Sequence, residues 1–272
     1  MHIEKPKIGE VTQGAIFTAA SAENYPSKPT WGLCITARCD MAHENKVKVF
    51  NYLPIVRYED WILNDGAKIL TERIKNELNG TAKNLLKSKN KSETILESYP
   101  IKIIAEKIFP EGGKFHEIAN KLENIDLKNN DYPMTIADIA EIAKYNEKCC
   151  EKILKELWSN QLSGYYYLSS IGNTEYSSTS GYVILLREVR HIPKIMAEKI
   201  SCGIFLEEED INFLAQSNFN KAVFDFVSIT GVLKSPWIEH LLQNFSIMFS
   251  RIGLPDPEKK LLKNLNGVIL NV

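Results

Sequence analysis

The sequence predicts an α+β fold in which a small antiparallel β-barrel or curved sheet is combined with a helical middle region and a long C-terminal helix. Short β-branched and aromatic runs come first, apolar residues then recur at helical spacing, and β-like runs return before a strongly amphipathic segment. We therefore divide the chain into an N-terminal β region (1–60), a helical region (61–160) and a C-terminal region (161–272). We expect the last region to hold a β-hairpin that completes the first sheet, followed by helices.

Composition excludes several classes of protein. At 272 residues the chain buries a substantial core without needing a disulfide or a metal. Its 33 basic and 34 acidic residues give a formal net charge of -1, so no overall field attracts nucleic acid or an anionic membrane. No signal-peptide pattern opens the sequence, and no segment approaches the roughly 18 apolar residues of a membrane span. With five unevenly spaced cysteines, typical of free thiols, we expect a cytoplasmic protein without a cofactor.

Three strand-like runs fill the N-terminal β region, namely "EVTQGAIFTAA", "WGLCITA" and "KVKVFNYLPIV". β-branched and aromatic residues dominate the first two runs, and the third alternates charged and apolar residues before it becomes continuously apolar. Gly14 marks a bend or bulge in the first run, because a residue without a Cβ bends at little cost. The three runs predict a small, curved antiparallel sheet.

The helical region begins at Glu59, where the period of the apolar residues changes. Ile69, Ile74 and Leu78 fall near helical spacing, and Gly80 predicts the end of this helix. We interpret the lysine-rich run that follows as a solvated face rather than a nucleic-acid site, because few aromatic residues accompany it. The run "PIKIIAEKIFPEGG" fits a short helix or a strand, and periodicity does not decide between them.

A single long helix is predicted for "MTIADIAEIAKYNEKCCEKILKELW". Thr135 caps its first turn, and Asp138, three residues later, takes the place of the acidic residue of a capping box. Cys149 and Cys150 are adjacent and point about 100° apart, so we predict that they pack rather than bind a metal or form a disulfide. The predicted apolar stripe consists of Ile136, Ile139, Ala143, Ile153, Leu154 and Leu157.

A β-hairpin with a long loop is predicted after Trp158, from the runs "GYYYLSSI" and "GYVILLREV". Its first strand places Tyr165 and Tyr167 on one face and Tyr166 on the other. Such tyrosines either form a stacking platform for bases or fill the core of a sheet, and we favour the core.

The best-defined helix signal lies in "SPWIEHLLQNFSIMFSRIGLPDP". Ser235 is the expected N-cap, Pro236 takes the first helical position and Gly253 ends the helix. A wide apolar stripe must dock on the protein's own core or on a partner. The stripe consists of Ile238, Leu241, Leu242, Phe245, Met248, Phe249 and Ile252.

Four residues of this helix are our predicted contacts to a partner protein. They are Trp237, His240, Phe245 and Arg251. His240 lies on the polar face, where a histidine is usually solvated rather than a ligand or a catalytic group.

The stretch "LCITARCDMAHENK", residues 33–46, concentrates reactive side chains behind an apolar run. Cys34, Cys39 and His43 lack the spacing of a zinc knuckle, and the sequence supplies no nearby fourth ligand. We therefore expect no metal here.

Two interpretations of residues 38–43 stay open. In the first, Arg38 lowers the pKa of a nucleophilic Cys39, with His43 or the distant His191 as base, and Asp40 completes the catalytic set. In the second, Asp40 follows a strand and orders the next loop by accepting hydrogen bonds from its backbone N–H groups. We favour the second interpretation.

The run "GAIF…KPTWGLCITARCDMAHENK…YLPI" resembles the opening of a poorly characterised bacterial family, in which a Gly-x-Ile strand precedes an apolar strand that ends in Cys-Asp. The segment "SPWIEHLLQNFSIMFSRIGLPD" resembles the C-terminal signature of that family, a Ser-Pro helix that ends in Arg-Ile-Gly-x-Pro-Asp. The resemblance implies no established activity. It implies a place beside ATPases or signalling proteins in bacterial defence gene clusters.

Residues 14–38 are also similar in layout to the SH3-like barrel of the MazF/PemK toxin endoribonucleases, in which a Gly-Asp-Ile strand leads to an Arg-Pro strand. Ala15 replaces the aspartate here, and "KPTWGLCIT" stands in place of the arginine-proline strand. The resemblance implies an SH3-like barrel in which Arg38 stabilises charge on a phosphate and Thr36 or His43 transfers a proton.

Two functions follow from these observations. The first is a cytoplasmic accessory or sensor subunit that binds a partner protein, such as an ATPase or a signalling protein, in a phage-defence or stress-response complex. The alternative is a nuclease or thiol-dependent hydrolase centred on Arg38, Cys39, Asp40 and His43. The sequence has no phosphate-binding GxxxxGK[ST] loop, and we favour the accessory subunit. Nucleic acid is not a favoured partner, and no membrane is expected.

Overall fold

A computed structural model describes residues 2–43, 46–130, 134–207 and 219–249. It confirms the predicted α+β fold, because antiparallel strands form a curled half-barrel sheet and helices fill the middle of the chain. Within the described residues, no helix has both the length and the apolar character needed to cross a membrane.

The strands follow one another in chain order between stretches of helix. They are β1 (Ile3–Glu4), β2 (Ala15–Phe17), β3 (Thr30–Cys34), β4 (Val49–Arg57), β5 (Tyr165–Leu168), β6 (Tyr182–Leu185), β7 (Arg190–Pro193), β8 (Ile204–Phe205), β9 (Phe226–Val227) and β10 (Ile229–Leu233).

The helices are numbered in the same way. They are α1 (Arg38–Met41), α2 (Tyr58–Trp61), α3 (Ala67–Ser88), α4 (Ile95–Ser98), α5 (Ile101–Ile108), α6 (Lys114–Asn130), α7 (Ile136–Ala143), α8 (Glu147–Trp158), α9 (Lys194–Cys202) and α10 (Trp237–Phe249). A π-helical turn, Ile62–Gly66, joins α2 to α3.

The main sheet has the antiparallel order β1-β10-β2-β3-β4-β6-β5. Its long strand β4 pairs with β3 along one edge, whereas the other edge pairs with β7 over residues 49–52 and with β6 over residues 55–57. Pro54 has no N–H to donate and lies in the interval between these two pairings. Because β4 changes partner there, the sheet curls instead of continuing flat.

The predicted hairpin is present and joins the N-terminal sheet. Strands β5 and β6 pair along their length, and β6 pairs with β4 through Ile184 opposite Ile55. As the alternation predicted, Tyr166 lies in the core on one face of the sheet while Tyr165 and Tyr167 pack against the helices on the other.

The sheet separates two hydrophobic cores. One core lies under α9 and α10 and contains Trp31, Tyr52 and Ile184. The other lies between the sheet and the helical region and contains Trp61 and Val183. Since neighbours along β6 enter opposite cores, this strand is buried on both faces, which explains its continuous apolar sequence.

The strands of the first core approach one another closely at Gly32. A Cβ on this residue would lie 2.3 Å from the ring of Phe17. That ring packs edge-on against Tyr52, with the ring centroids 5.1 Å apart. Glycine is therefore required by close packing here rather than by a turn.

The predicted end of the first helix was wrong. Helix α3 continues through Gly80 to Ser88, and Ala82 and Leu86 beyond the glycine are buried in the second core. Gly80 lies on the exposed face, so its cost of about 1 kcal/mol relative to alanine is outweighed by burial on the other side. The undecided run "PIKIIAEKIFPEGG" contains helix α5.

The long helix predicted from residue 135 is two helices. The Thr135–Asp138 capping box is present at the start of α7. Helix α7 then ends, and the side chain of Asn146 accepts a hydrogen bond from Cys149 N–H at 3.1 Å and caps α8.

This break divides the predicted apolar stripe. Ile139, Ile153 and Leu157 are buried, whereas Ile136 and Leu154 are exposed. Cys149 and Cys150, as predicted, pack in the second core.

Candidate functional site

Residues Arg38–Met41 form one helical turn rather than the end of a strand, and His43 lies just after it. Strand β3 stops at Cys34, and α1 carries Arg38, Cys39 and Asp40. Arg38, Cys39 and His43 are exposed, and Asp40 is half-buried. The neighbouring Thr36 fixes the base of the segment, since its hydroxyl accepts a hydrogen bond of 2.7 Å from the N–H of Asn51 in β4.

Asp40 is the only one of these four residues with an ion-pair partner among the described residues. Its carboxylate pairs with Lys46, and the Cys39 thiol donates to it at 3.6 Å. The hydrogen bond from Lys46 lowers the pKa of Asp40. Within the described residues, the side-chain bonding partners of the Asp40 carboxylate are Lys46 and Cys39 rather than the predicted backbone N–H groups.

The remaining candidates near this segment do not form a reactive cluster. Cys34 is buried in β3, and burial raises the pKa of its thiol to about 11. His191 lies in β7, opposite Asn51 of β4. Among the described residues, no group of three or more histidine, cysteine, aspartate or glutamate side chains is placed to hold a metal ion.

The N-terminal half of α10 is docked on the first core. Ile238 and Leu241 are buried, and a hydrogen bond of 2.9 Å joins Nδ1 of His240 to the hydroxyl of Tyr166 in β5. The carbonyl of Lys234, rather than the predicted Ser235 side chain, accepts the N–H groups that open the helix.

His2 contacts both the sheet and this end of α10. Its ring lies 5.2 Å from the ring of Trp237, and its Nε2 lies 3.3 Å from the hydroxyl of Ser169. Burial lowers the pKa of His2. Two of the predicted partner contacts therefore interact within the chain. Trp237 packs against His2, and His240 contacts Tyr166 through Nδ1 and Asn244 through Nε2.

The apolar stripe continues along the C-terminal half of α10, but there its side chains are only partly buried. Phe245 and Met248 are half-buried, and Phe249 is 66% exposed. The rings of Phe245 and Phe249 meet edge to face at 4.9 Å. The predicted helix end at Gly253, and the predicted contact Arg251, lie outside the described residues.

An arginine that the sequence did not single out lies beside this uncovered stripe. Arg187 follows β6 and borders a cavity of about 250 Å³ together with Ser163, Met248 and Phe249. Its side chain passes over Gly164, where an added Cβ would lie 2.7 Å from Nε. No sequence signal connects Arg187 to α10, because the two meet only when the hairpin and the helix pack on the same sheet.

The charge of Arg187 is not neutralised within the described part of the chain. Its guanidinium donates to the Ser163 hydroxyl at 3.4 Å, and no described carboxylate lies within ion-pair distance. A cation next to an exposed aromatic ring and a half-buried thioether is suited to bind an acidic, apolar segment of another protein. We call Leu242, Phe245, Met248, Phe249 and Arg187 the α10 surface.

Comparisons of the chain with protein-family models, curated proteins and solved structures found no match.

Proposed function

We propose that this protein is an accessory subunit that binds a partner protein through the α10 surface. The observation that carries the proposal is the change in burial along the apolar stripe of α10. The side chain of Leu241 is fully buried, whereas the side chain of Phe249 is 66% exposed. An exposed aromatic side chain beside half-buried apolar ones on one helix is typical of protein-binding surfaces.

The chemistry of the α10 surface defines the segment that it binds. The cavity beside Met248 and Phe249 accepts a large apolar side chain, and Arg187 selects a carboxylate next to it. We therefore propose a partner whose binding segment pairs an aromatic or aliphatic residue with Asp or Glu. In view of the family resemblance, we propose an ATPase or a signalling protein of a bacterial defence system as that partner.

The experiment is photo-cross-linking in the native cells. The full-length chain carries p-benzoylphenylalanine in place of Phe249, and mass spectrometry identifies the cross-linked peptides. We expect one stoichiometric partner and a cross-linked segment that contains an acidic residue beside a large apolar one. A cross-link confined to residues 250–272 of the same chain would contradict the proposal.

Three single variants show whether the α10 surface itself carries the binding. Phe249→Ser and Arg187→Glu are expected to abolish co-purification of the cross-linked partner. The matched control is Leu127→Ser on α6, which changes a side chain that is 61% exposed outside the α10 surface. Retention of the partner by both test variants, or its loss with the control as well, would refute the assignment.

A further inference from the structure

A second cavity lies where the small β8–β9 sheet faces the loop after β5. Its volume is about 470 Å³, within the range of small-molecule sites. Its lining includes the loop residues 173–176 and, on the β8–β9 side, Phe205, Phe224, Asp225 and Phe226.

Aromatic rings form much of its wall. Phe205 is 53% exposed and Phe226 41% exposed, and their ring centroids lie 4.8 Å apart. Tyr176 meets Phe224 edge to face at 5.0 Å. The rings of Phe205 and Phe226 therefore remain accessible, although each belongs to a strand.

The charged residues that line the cavity within the described part of the chain are both acidic. They are Glu175 and Asp225, and both are exposed. Neither carboxylate has an ion-pair partner among the described residues. The hydroxyl of Tyr176 donates a hydrogen bond of 2.9 Å to the carbonyl oxygen of Val223, so its proton is already used within the protein.

From these features we infer that the cavity binds a small organic cation that carries an ammonium group. Accessible aromatic faces attract such cations through their ring quadrupoles, and the two carboxylates supply the opposite charge. The amide of Asn173, at the same cavity, offers an acceptor for a ligand N–H or O–H group. This inference is independent of the α10 surface and assigns a ligand-sensing site to the same subunit.

The walls are held in place before any ligand arrives. Trp31, buried in the first core, donates from Nε1 to the hydroxyl of Thr174 at 3.0 Å and contacts the ring of Phe224 at 5.9 Å. At Gly172 the loop approaches β10 so closely that a Cβ would lie 2.5 Å from the carbonyl oxygen of Thr230. A preformed cavity loses less conformational entropy on binding.

The test is calorimetric titration of the full-length protein with choline, with spermidine and with 3,3-dimethylbutan-1-ol, the neutral isostere of choline. We expect choline or spermidine to bind and the neutral alcohol to bind at least about tenfold more weakly. Failure of both cations to bind, or equal affinity for choline and the alcohol, would overturn the inference.

Variants then connect the binding to the cavity. Glu175→Gln and Asp225→Asn are each expected to weaken binding of the cation about fivefold, and Phe226→Leu to weaken it similarly without affecting the neutral alcohol. The matched control, Glu97→Gln on α4, removes an exposed carboxylate outside the cavity and should change nothing. Unchanged affinity in all three cavity variants would place the cation elsewhere and refute the site.

A further titration with a peptide distinguishes binding of a free organic cation from binding of a basic side chain of another protein. The probe is the blocked tripeptide acetyl-Gly-Arg-Gly-amide in the same titration. Binding of this peptide without binding of choline or spermidine would overturn the small-molecule assignment.

Discussion

The two halves of α10 contain the same kind of apolar stripe but have different surroundings. In the first half, Ile238 and Leu241 are buried against the curled sheet, and His240 is joined to Tyr166. In the second half, Phe245 and Met248 are half-buried and Phe249 is largely exposed beside Arg187. The comparison teaches that amphipathic periodicity shows which face of a helix is apolar, but not how far along the helix that face is covered.

The largest expected effect is at the buried end. Leu241→Ala removes a fully buried side chain between helix and sheet, and we expect the free energy of unfolding to fall by about 2–5 kcal/mol. Urea denaturation followed by circular dichroism measures it. A loss below about 0.5 kcal/mol would show that the first half of α10 is not docked as described.

A smaller deletion at the same end sharpens the comparison. Ile238→Val removes one methylene group from the first core, and the free energy of unfolding should fall by about 0.5–1.5 kcal/mol. The same denaturation measurement applies. The equivalent deletion at an exposed position, Ile136→Val on α7, is the control and should leave the free energy of unfolding nearly unchanged.

The burial of Tyr166, whose hydroxyl joins β5 to α10, predicts that the stability of the protein depends on pH. Burial raises the pKa of Tyr166 to about 12 from the ordinary value of 10.0. The unfolded chain therefore releases this proton at lower pH than the folded one, and the stabilisation is complete below pH 10 and lost as the pH rises towards 12.

Tyr166→Phe removes this ionisation. The wild type should be the more stable protein at pH 8, by about 0.5–1.5 kcal/mol, and should lose that advantage by pH 11. Denaturation at both values measures the difference. Tyr99→Phe, at an exposed tyrosine, serves as control, and a difference between wild type and Tyr166→Phe that does not change with pH would contradict the prediction.

The smallest effect on stability is expected at the uncovered end. Phe249→Ser should change the free energy of unfolding by less than about 0.5 kcal/mol, because the side chain is 66% exposed. The same variant is expected to lose the partner protein. A destabilisation comparable to that of Leu241→Ala would mean that the stripe is covered along its whole length, and would remove the basis for the α10 surface.

Local patterns predicted those elements whose causes are local. The alternation around Tyr166 predicted both the hairpin and the two faces of its first strand, and the Thr135–Asp138 spacing predicted the capping box. The same patterns failed at Gly80, where burial of residues on the opposite side of the helix outweighs the cost of a glycine. They also failed at Asn146, whose side chain begins a new helix inside a continuous apolar period.

The candidate sites show the same difference between features with local causes and features that depend on long-range contacts. Arg38, Cys39, Asp40 and His43 are close in sequence, yet within the described residues the side-chain hydrogen bond among them is the one from Cys39 to Asp40. Glu175 and Asp225, in contrast, are far apart in sequence and border one cavity. Closeness along the chain therefore did not identify the group of side chains that the fold assembles.

The sequence by itself determined the α+β class, the two strands of the hairpin and the apolar face of α10, because each depends on the period of neighbouring residues. Only the tertiary structure decided that the sheet separates two cores and that Arg187 lies beside Met248 and Phe249. It also decided at which residues of α10 the apolar side chains stop being buried. These features depend on contacts between distant segments, and the strength of such contacts is set by the area they bury, which no local pattern encodes.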